Sequence, residues 1–103
     1  MFQIDWAQFG LLAPQMLPVN GIDMAVWDTN TPSDMPPVVL CHGYPELAFS
    51  WRHQLVGLPK AGIRAIAPDL RGYGLTSAPE AIEAYDLDTL TGDLAALLDA
   101  KGI

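Results

Sequence analysis

"LCHGYPELAFSWRHQ", residues 40–54, sets His42, Gly43, Tyr44 and Pro45 where an apolar run stops and a helical pattern begins. Glycine and proline are costly inside regular elements, so this order marks a turn. The run before it, residues 38–41, is continuously apolar with two valines, which predicts a strand buried on both faces. After it, Ser50 occupies a helix N-cap position ahead of Trp51, Leu55 and Leu58 at helical spacing. A turn between a buried strand and a helix is where α/β proteins hold their chemistry.

Working outward, residues 15–20 and 24–27 read as short strands around Asn20-Gly21, a pair that tolerates positive φ and closes hairpins. Residues 1–13 show no clean period and read as an arm lying on the domain. Residues 28–37, "DTNTPSDMPP", form a polar, proline-rich loop. Downstream, Gly57 and Pro59 weaken the helix and Gly62 ends it; "IRAIAP", residues 63–68, alternates into a strand and exits through the glycine-rich "DLRGYG", residues 69–74. Leu87, Leu90, Leu94, Leu97 and Leu98 give a final helix one apolar face, with Asp86 and Asp88 at its positive end and Gly102 just past its close. Hairpin, strand, helix, strand, helix is an α/β order with a parallel sheet.

Composition narrows the function. The 103 residues suit one small domain, and half of them are hydrophobic, so disorder is excluded. A formal charge of −7 argues against a nucleic-acid partner, which needs clustered Lys and Arg. All five basic residues lie at Arg52 or later, so no signal peptide is expected, and no apolar run is long enough to span a membrane. The single cysteine, Cys41, makes no intrachain disulfide; a cytoplasmic location and a buried, inert thiol are the expectations. Two histidines and one cysteine show no metal-ligand spacing, and "GYGLTS" carries Ser77 where a dinucleotide loop needs its third glycine. No metal and no cofactor are expected.

In the turn itself, Gly43 leaves the backbone uncrowded, and the Tyr44 N–H can aim at a developing oxyanion; Pro45 has no N–H to offer. The plain alternative is a strand-to-helix turn in which His42 only hydrogen-bonds neighbouring backbone. More than the turn matches a known pattern. "HGYPELAFSWRHQ", "IAPDLRGYGLTSAP" and "DLDTLTGDLAALLDAKGI", in this order and spacing, resemble the N-terminal part of epoxide hydrolases of the α/β-hydrolase fold. The resemblance runs from Val19 to Ile103, so residues 1–103 are expected to be the N-terminal portion of one α/β-hydrolase domain with an incomplete central sheet.

The resemblance implies that Tyr44 N–H is one oxyanion donor, that His42, Gly43 and Pro45 support the turn, and that the bond before Pro45 is cis. Glu46 and Trp51 would shape the turn and the following helix, while Asp69, Arg71, Gly72 and Gly74 would form a structural loop held by charge and backbone bonds. Phe49 and Trp51 are read as core. In the family, an Asp opens a small apolar epoxide to an ester, and a His paired with an acid activates water to release the diol. Lid tyrosines protonate the epoxide oxygen. None of these groups is matched here: no G-x-S-x-G or G-x-D-x-G elbow occurs, His53 reads as surface, and Glu80, Glu83 and Asp93 read as solvated. The chain alone is therefore expected to be inactive.

Two other classes compete. A haloalkane dehalogenase would place Asn at Tyr44, for its side-chain N–H; a fluoroacetate dehalogenase or C–C hydrolase tolerates an aromatic there. A non-catalytic α/β module that associates with another chain is the second. The strand order that the resemblance implies puts the third strand between the fourth and a fifth not found in residues 1–103. An open edge at residues 38–40, with self-association or a complementing chain as its consequence, is the expectation.

Overall fold

The computed structural model describes residues 5–103, so the first four residues of the expected arm lie outside it. Strands β1 (Gln15–Val19) and β2 (Ile22–Asp28) form the hairpin, joined through Asn20 and Gly21 at φ 49° and 79°. Both central residues are left-handed, which matches the twist of the strands they connect. Strand β3 (Val38–Val39), helix α1 (Arg52–Lys60), strand β4 (Ala65–Pro68) and helix α2 (Leu87–Ala100) follow. The sheet runs β1-β2-β4-β3, antiparallel between β2 and β4 and parallel between β3 and β4.

The core has two sides because β2 alternates. Ala25 and Trp27 join Leu40, Ala48, Leu55, Ala65 and Ala67 under α1, while Met24 and Val26 join Val19, Ile22, Ile66 and Leu97 under α2. All four residues of β4 are buried. Short 3₁₀ turns at Trp6–Phe9, Ala48–Trp51 and Ile82–Tyr85 complete the packing. The first carries the described part of the arm onto the α1 face, with the Trp6 and Trp27 rings 4.7 Å apart. Trp51 packs against the same cluster, while Phe49 is half-buried and meets Phe9 edge-on at 4.8 Å.

Three expectations are corrected. Residues 38–41 are not buried on both faces: β3 is an edge strand of two residues, Val38 is 39% exposed, and Cys41 is exposed. Ser50 does not cap α1; it is exposed inside the 3₁₀ turn that leads into the helix. The start of that 3₁₀ turn is held from another loop, where Asp69 Oδ1 accepts the Ala48 N–H at 2.8 Å. The five leucines of α2 do not share one fate. Leu97 is fully buried, Leu90, Leu94 and Leu98 are half-buried, and Leu87 is 78% exposed at the first turn. The ends of α2 match expectation: Asp86 accepts the Thr89 N–H at 2.7 Å, and Gly102 is left-handed at φ 71°.

The far end of the sheet is closed by charge. Asp28 takes two hydrogen bonds from Arg64, at 3.0 and 2.7 Å, and an ion pair from Lys101 at 3.0 Å. This joins the end of β2, the start of β4 and the end of α2. Burial alone would raise the Asp28 carboxyl, but Arg64, the Asn30 N–H and Lys101 together outweigh it and hold the pKa at about 2.

Candidate functional site

β3 delivers the chain to the His42–Pro45 turn, and the loop after β4 fixes the turn's shape. His42 is buried; its Nε2 accepts the Leu70 N–H at 2.9 Å, which leaves Nδ1, 2.9 Å from the Gly43 carbonyl, to carry the proton and donate. The ring also meets Tyr73 edge-on at 4.8 Å. His42 thus bonds backbone on both sides, tying the turn to the loop after β4. Glu46 N–H closes the turn on the Gly43 carbonyl at 3.0 Å, across a cis Tyr44–Pro45 bond.

The loop after β4 is held by two buried aspartates. Asp69 Oδ2 accepts the Leu75 N–H at 3.1 Å while Oδ1 caps Ala48, so one carboxylate joins the loop to the start of the α1 region. A Cβ on Gly74 would overlap that carboxylate, which is why the position is glycine. Arg71 forms a fork with Asp93, Nε to Oδ2 at 2.9 Å and Nη2 to Oδ1 at 2.8 Å, and also donates to the Asn20 carbonyl at 3.1 Å. Asn20 Nδ2 completes the knot on Asp93 Oδ1 at 2.8 Å. The Asp93 hydrogen bonds push the Arg71 guanidinium above its ordinary value.

Asp93 was expected to be solvated and is 2% exposed. The signal was present in the helix: Asp93 lies three residues after Leu90 and four before Leu97, on the inward face. Glu80, Glu83 and His53 are exposed, as expected.

Between the turn, the loop after β4 and α2 lies a cleft of about 460 Å³, whose wall includes Cys41, Tyr44, Tyr73, Tyr85, Leu90 and Leu94. Tyr44 stands at its margin, 85% exposed, and among the described residues its N–H has no hydrogen-bond partner. Cys41 is not the buried group expected; it lines this cleft, and partial burial there pushes its thiol up. Tyr85 supports rather than reacts: its hydroxyl donates to the Pro79 carbonyl at 2.6 Å, and its ring leaves room only for glycine at Gly72. A second hollow of about 270 Å³ lies between residues 10–13 and α1, and its one carboxylate, Asp28, is already engaged. Among the described residues there is no cluster of three metal-ligating side chains, and no helix is long and apolar enough to cross a membrane.

Strand order, turn and loop agree with one class: residues 36–103 match the alpha/beta hydrolase fold family, and the chain belongs to it. Within that class it is similar to epoxide hydrolases. It is 50% identical over 93 residues to Epoxide hydrolase A of Mycobacterium tuberculosis, covering 90% of this chain and 29% of that protein. It is 49% identical over 84 residues to Epoxide hydrolase 1 of Siraitia grosvenorii, covering 82% and 26%. The crystal structure of Epoxide Hydrolase A from Mycobacterium thermoresistibile superposes with a TM-score of 0.80 at 50% identity, over 87% of this chain and 28% of that one. An epoxide hydrolase from Vigna radiata gives 0.79 at 48% identity, over the same shares. The chain spans under a third of the length of these relatives.

Proposed function

We propose that this chain is part of an enzyme that hydrolyses small apolar epoxides to diols, and that Tyr44 N–H is one donor of its oxyanion hole. The observation that carries this reading is the free Tyr44 N–H at the cleft margin, on a turn fixed through the His42 ring and the Gly43 carbonyl. In the reaction, a carboxylate opens the epoxide and forms an ester; water then adds to the ester carbonyl, whose oxygen becomes negative. A fixed N–H at that oxygen lowers the barrier because it needs no reorganisation as charge develops. His42 is a positioning residue: by bonding Leu70 N–H and the Gly43 carbonyl, it fixes the direction of the next amide. The nucleophile, base and acid are not among residues 1–103, so the chain alone opens no epoxide above the buffer rate.

The test uses residues 1–103 grafted in place of the matching segment of the M. tuberculosis protein, assayed with a small apolar epoxide. Tyr44→Pro, or the gentler amide-to-ester replacement at residue 44, removes the N–H. The expected result is a fall of about 10²–10³ in kcat with KM little changed. Tyr44→Phe keeps the N–H and keeps kcat. A folded graft that loses the N–H and turns over at the parent rate would sink the assignment.

A further inference from the structure

Two consecutive residues of the loop after β4 hold the Tyr44 turn from both sides. Before Tyr44, the Leu70 N–H donates to His42 Nε2 at 2.9 Å; after it, the Asp69 carboxylate accepts the Ala48 N–H at 2.8 Å. The first of these bonds depends on a proton count. His42 is buried, and both nitrogens of its neutral ring are used: Nε2 accepts from Leu70, and Nδ1 donates to the Gly43 carbonyl at 2.9 Å. A second proton would sit on Nε2 and face the Leu70 N–H, donor against donor. The surroundings offer that charge little. Among the described residues no carboxylate bonds either ring nitrogen, and the aromatic neighbour is Tyr73, edge-on. From α2, Asp93 is already paired with Arg71, and the Tyr85 hydroxyl is spent on the Pro79 carbonyl. Asp69 holds Ala48 and Leu75, Glu46 folds back against Gly43, and Cys41 brings an uncharged thiol that burial pushes up.

We propose that His42 is an acid-sensitive clasp: a second proton on its ring breaks the Leu70 bond, frees the His42–Pro45 turn from the loop after β4, and takes the Tyr44 N–H out of aim. A buried imidazolium would keep an unmet Nε2–H against another donor, so the charged ring leaves its place. The bond is present while the ring is neutral and is lost as the pH falls through the ring's titration. Ala48 stays on Asp69, so the turn opens from its His42 side. The consequence for catalysis rests on the oxyanion reading of Tyr44; the clasp itself does not.

Clasp and catalysis are read separately. In the nitrogen-15-labelled chain, the ring nitrogens report the proton count of His42, and amide hydrogen exchange, corrected for its intrinsic pH dependence, reports the Leu70 bond. The expected result is a fall of about 2- to 10-fold in Leu70 protection as the ring takes its second proton. The neighbouring Asp69 amide, bonded to the Ala25 carbonyl at 2.9 Å, keeps its protection. His42→Gln puts an amide oxygen where Nε2 stands, with no proton to gain, and holds Leu70 through the same range. A parent ring that protonates while Leu70 stays as protected as before overturns the proposal, with or without the variant. So does a ring that stays neutral until the chain unfolds, or an equal loss of protection in His42→Gln. The graft described above then reads catalysis: over this pH range its kcat falls more than that of the same graft carrying His42→Gln. A clasp that opens with the ring while both grafts lose kcat alike supports the clasp and counts only against the oxyanion reading.

Discussion

The middle of the sheet and its β3 end differ in what the described residues provide for them. β2 and β4, in the middle, are enclosed: every residue of β4 is buried, and β2 sends side chains into both core clusters. β3, beside them, has two ladder residues, one neighbour and an exposed Val38. Both regions are apolar in sequence, so hydrophobicity does not separate them; neighbours do. The buried charges follow the same division. Arg71–Asp93 and Asp69 lie where loops must be fixed around the enclosed part, and none of them touches β3.

The sharpest way to break this contrast is to remove one charge of the buried fork. Arg71→Met leaves Asp93 uncompensated in the interior and is expected to cost about 3–5 kcal/mol in urea unfolding. Arg71→Met with Asp93→Leu restores most of that loss, because no buried charge remains unpaired. Equal destabilisation by the single and double variants would show that the fork acts through packing alone.

Next in size is Leu97→Ala, which empties a fully buried site and is expected to cost about 2–5 kcal/mol. Val38→Thr on the edge strand is expected to change stability by about 0.5 kcal/mol or less. Similar losses at the two positions would erase the distinction between enclosed and open strands.

The far end of the sheet sharpens the comparison through pH. Asp28 has a folded pKa of about 2, below its ordinary value of 3.8, so the unfolded chain takes up the proton first as acid is added. Its contribution is fully present above about pH 4 and is lost as the pH falls through 2. Urea midpoints measured from pH 5 to pH 2 should fall less steeply for Asp28→Asn than for the parent. Parallel slopes would remove Asp28 from the acid response.

What could be read in the sequence was local. Asn20-Gly21 specified the hairpin through backbone freedom, and Asp86 and Gly102 marked the ends of α2. The α/β order and the His42–Pro45 turn were legible for the same reason, since glycine and proline carry their geometry with them. The capping of Ala48 by Asp69 was not legible, because a carboxylate 21 residues away replaced the nearby Ser50. Nor was the hold on His42: Leu70 supplies a backbone N–H, which any residue but proline offers. Asp93 was misread because a charged residue on a helix is usually solvated, and only its phase against Leu90 and Leu97 pointed inward. Cys41 was misread because its apolar run outlasts the two-residue strand, and the last residue of the run lines the cleft.

The strand order also sets a schedule for synthesis. Among the described residues β3 pairs only with β4, and Val38 meets Ala65, about 27 residues later in the chain. At translation rates of about 5–20 residues per second, roughly one to five seconds separate the two strands. Throughout that interval "VVLC" is an apolar segment with neither edge paired, the kind of sequence that sticks to other nascent chains. Just ahead of it stands "DTNTPSDMPP", with two aspartates and three prolines, residues that interrupt β-aggregation. The proline-rich loop thus sets residues of the gatekeeper type directly before a strand whose partner is made later.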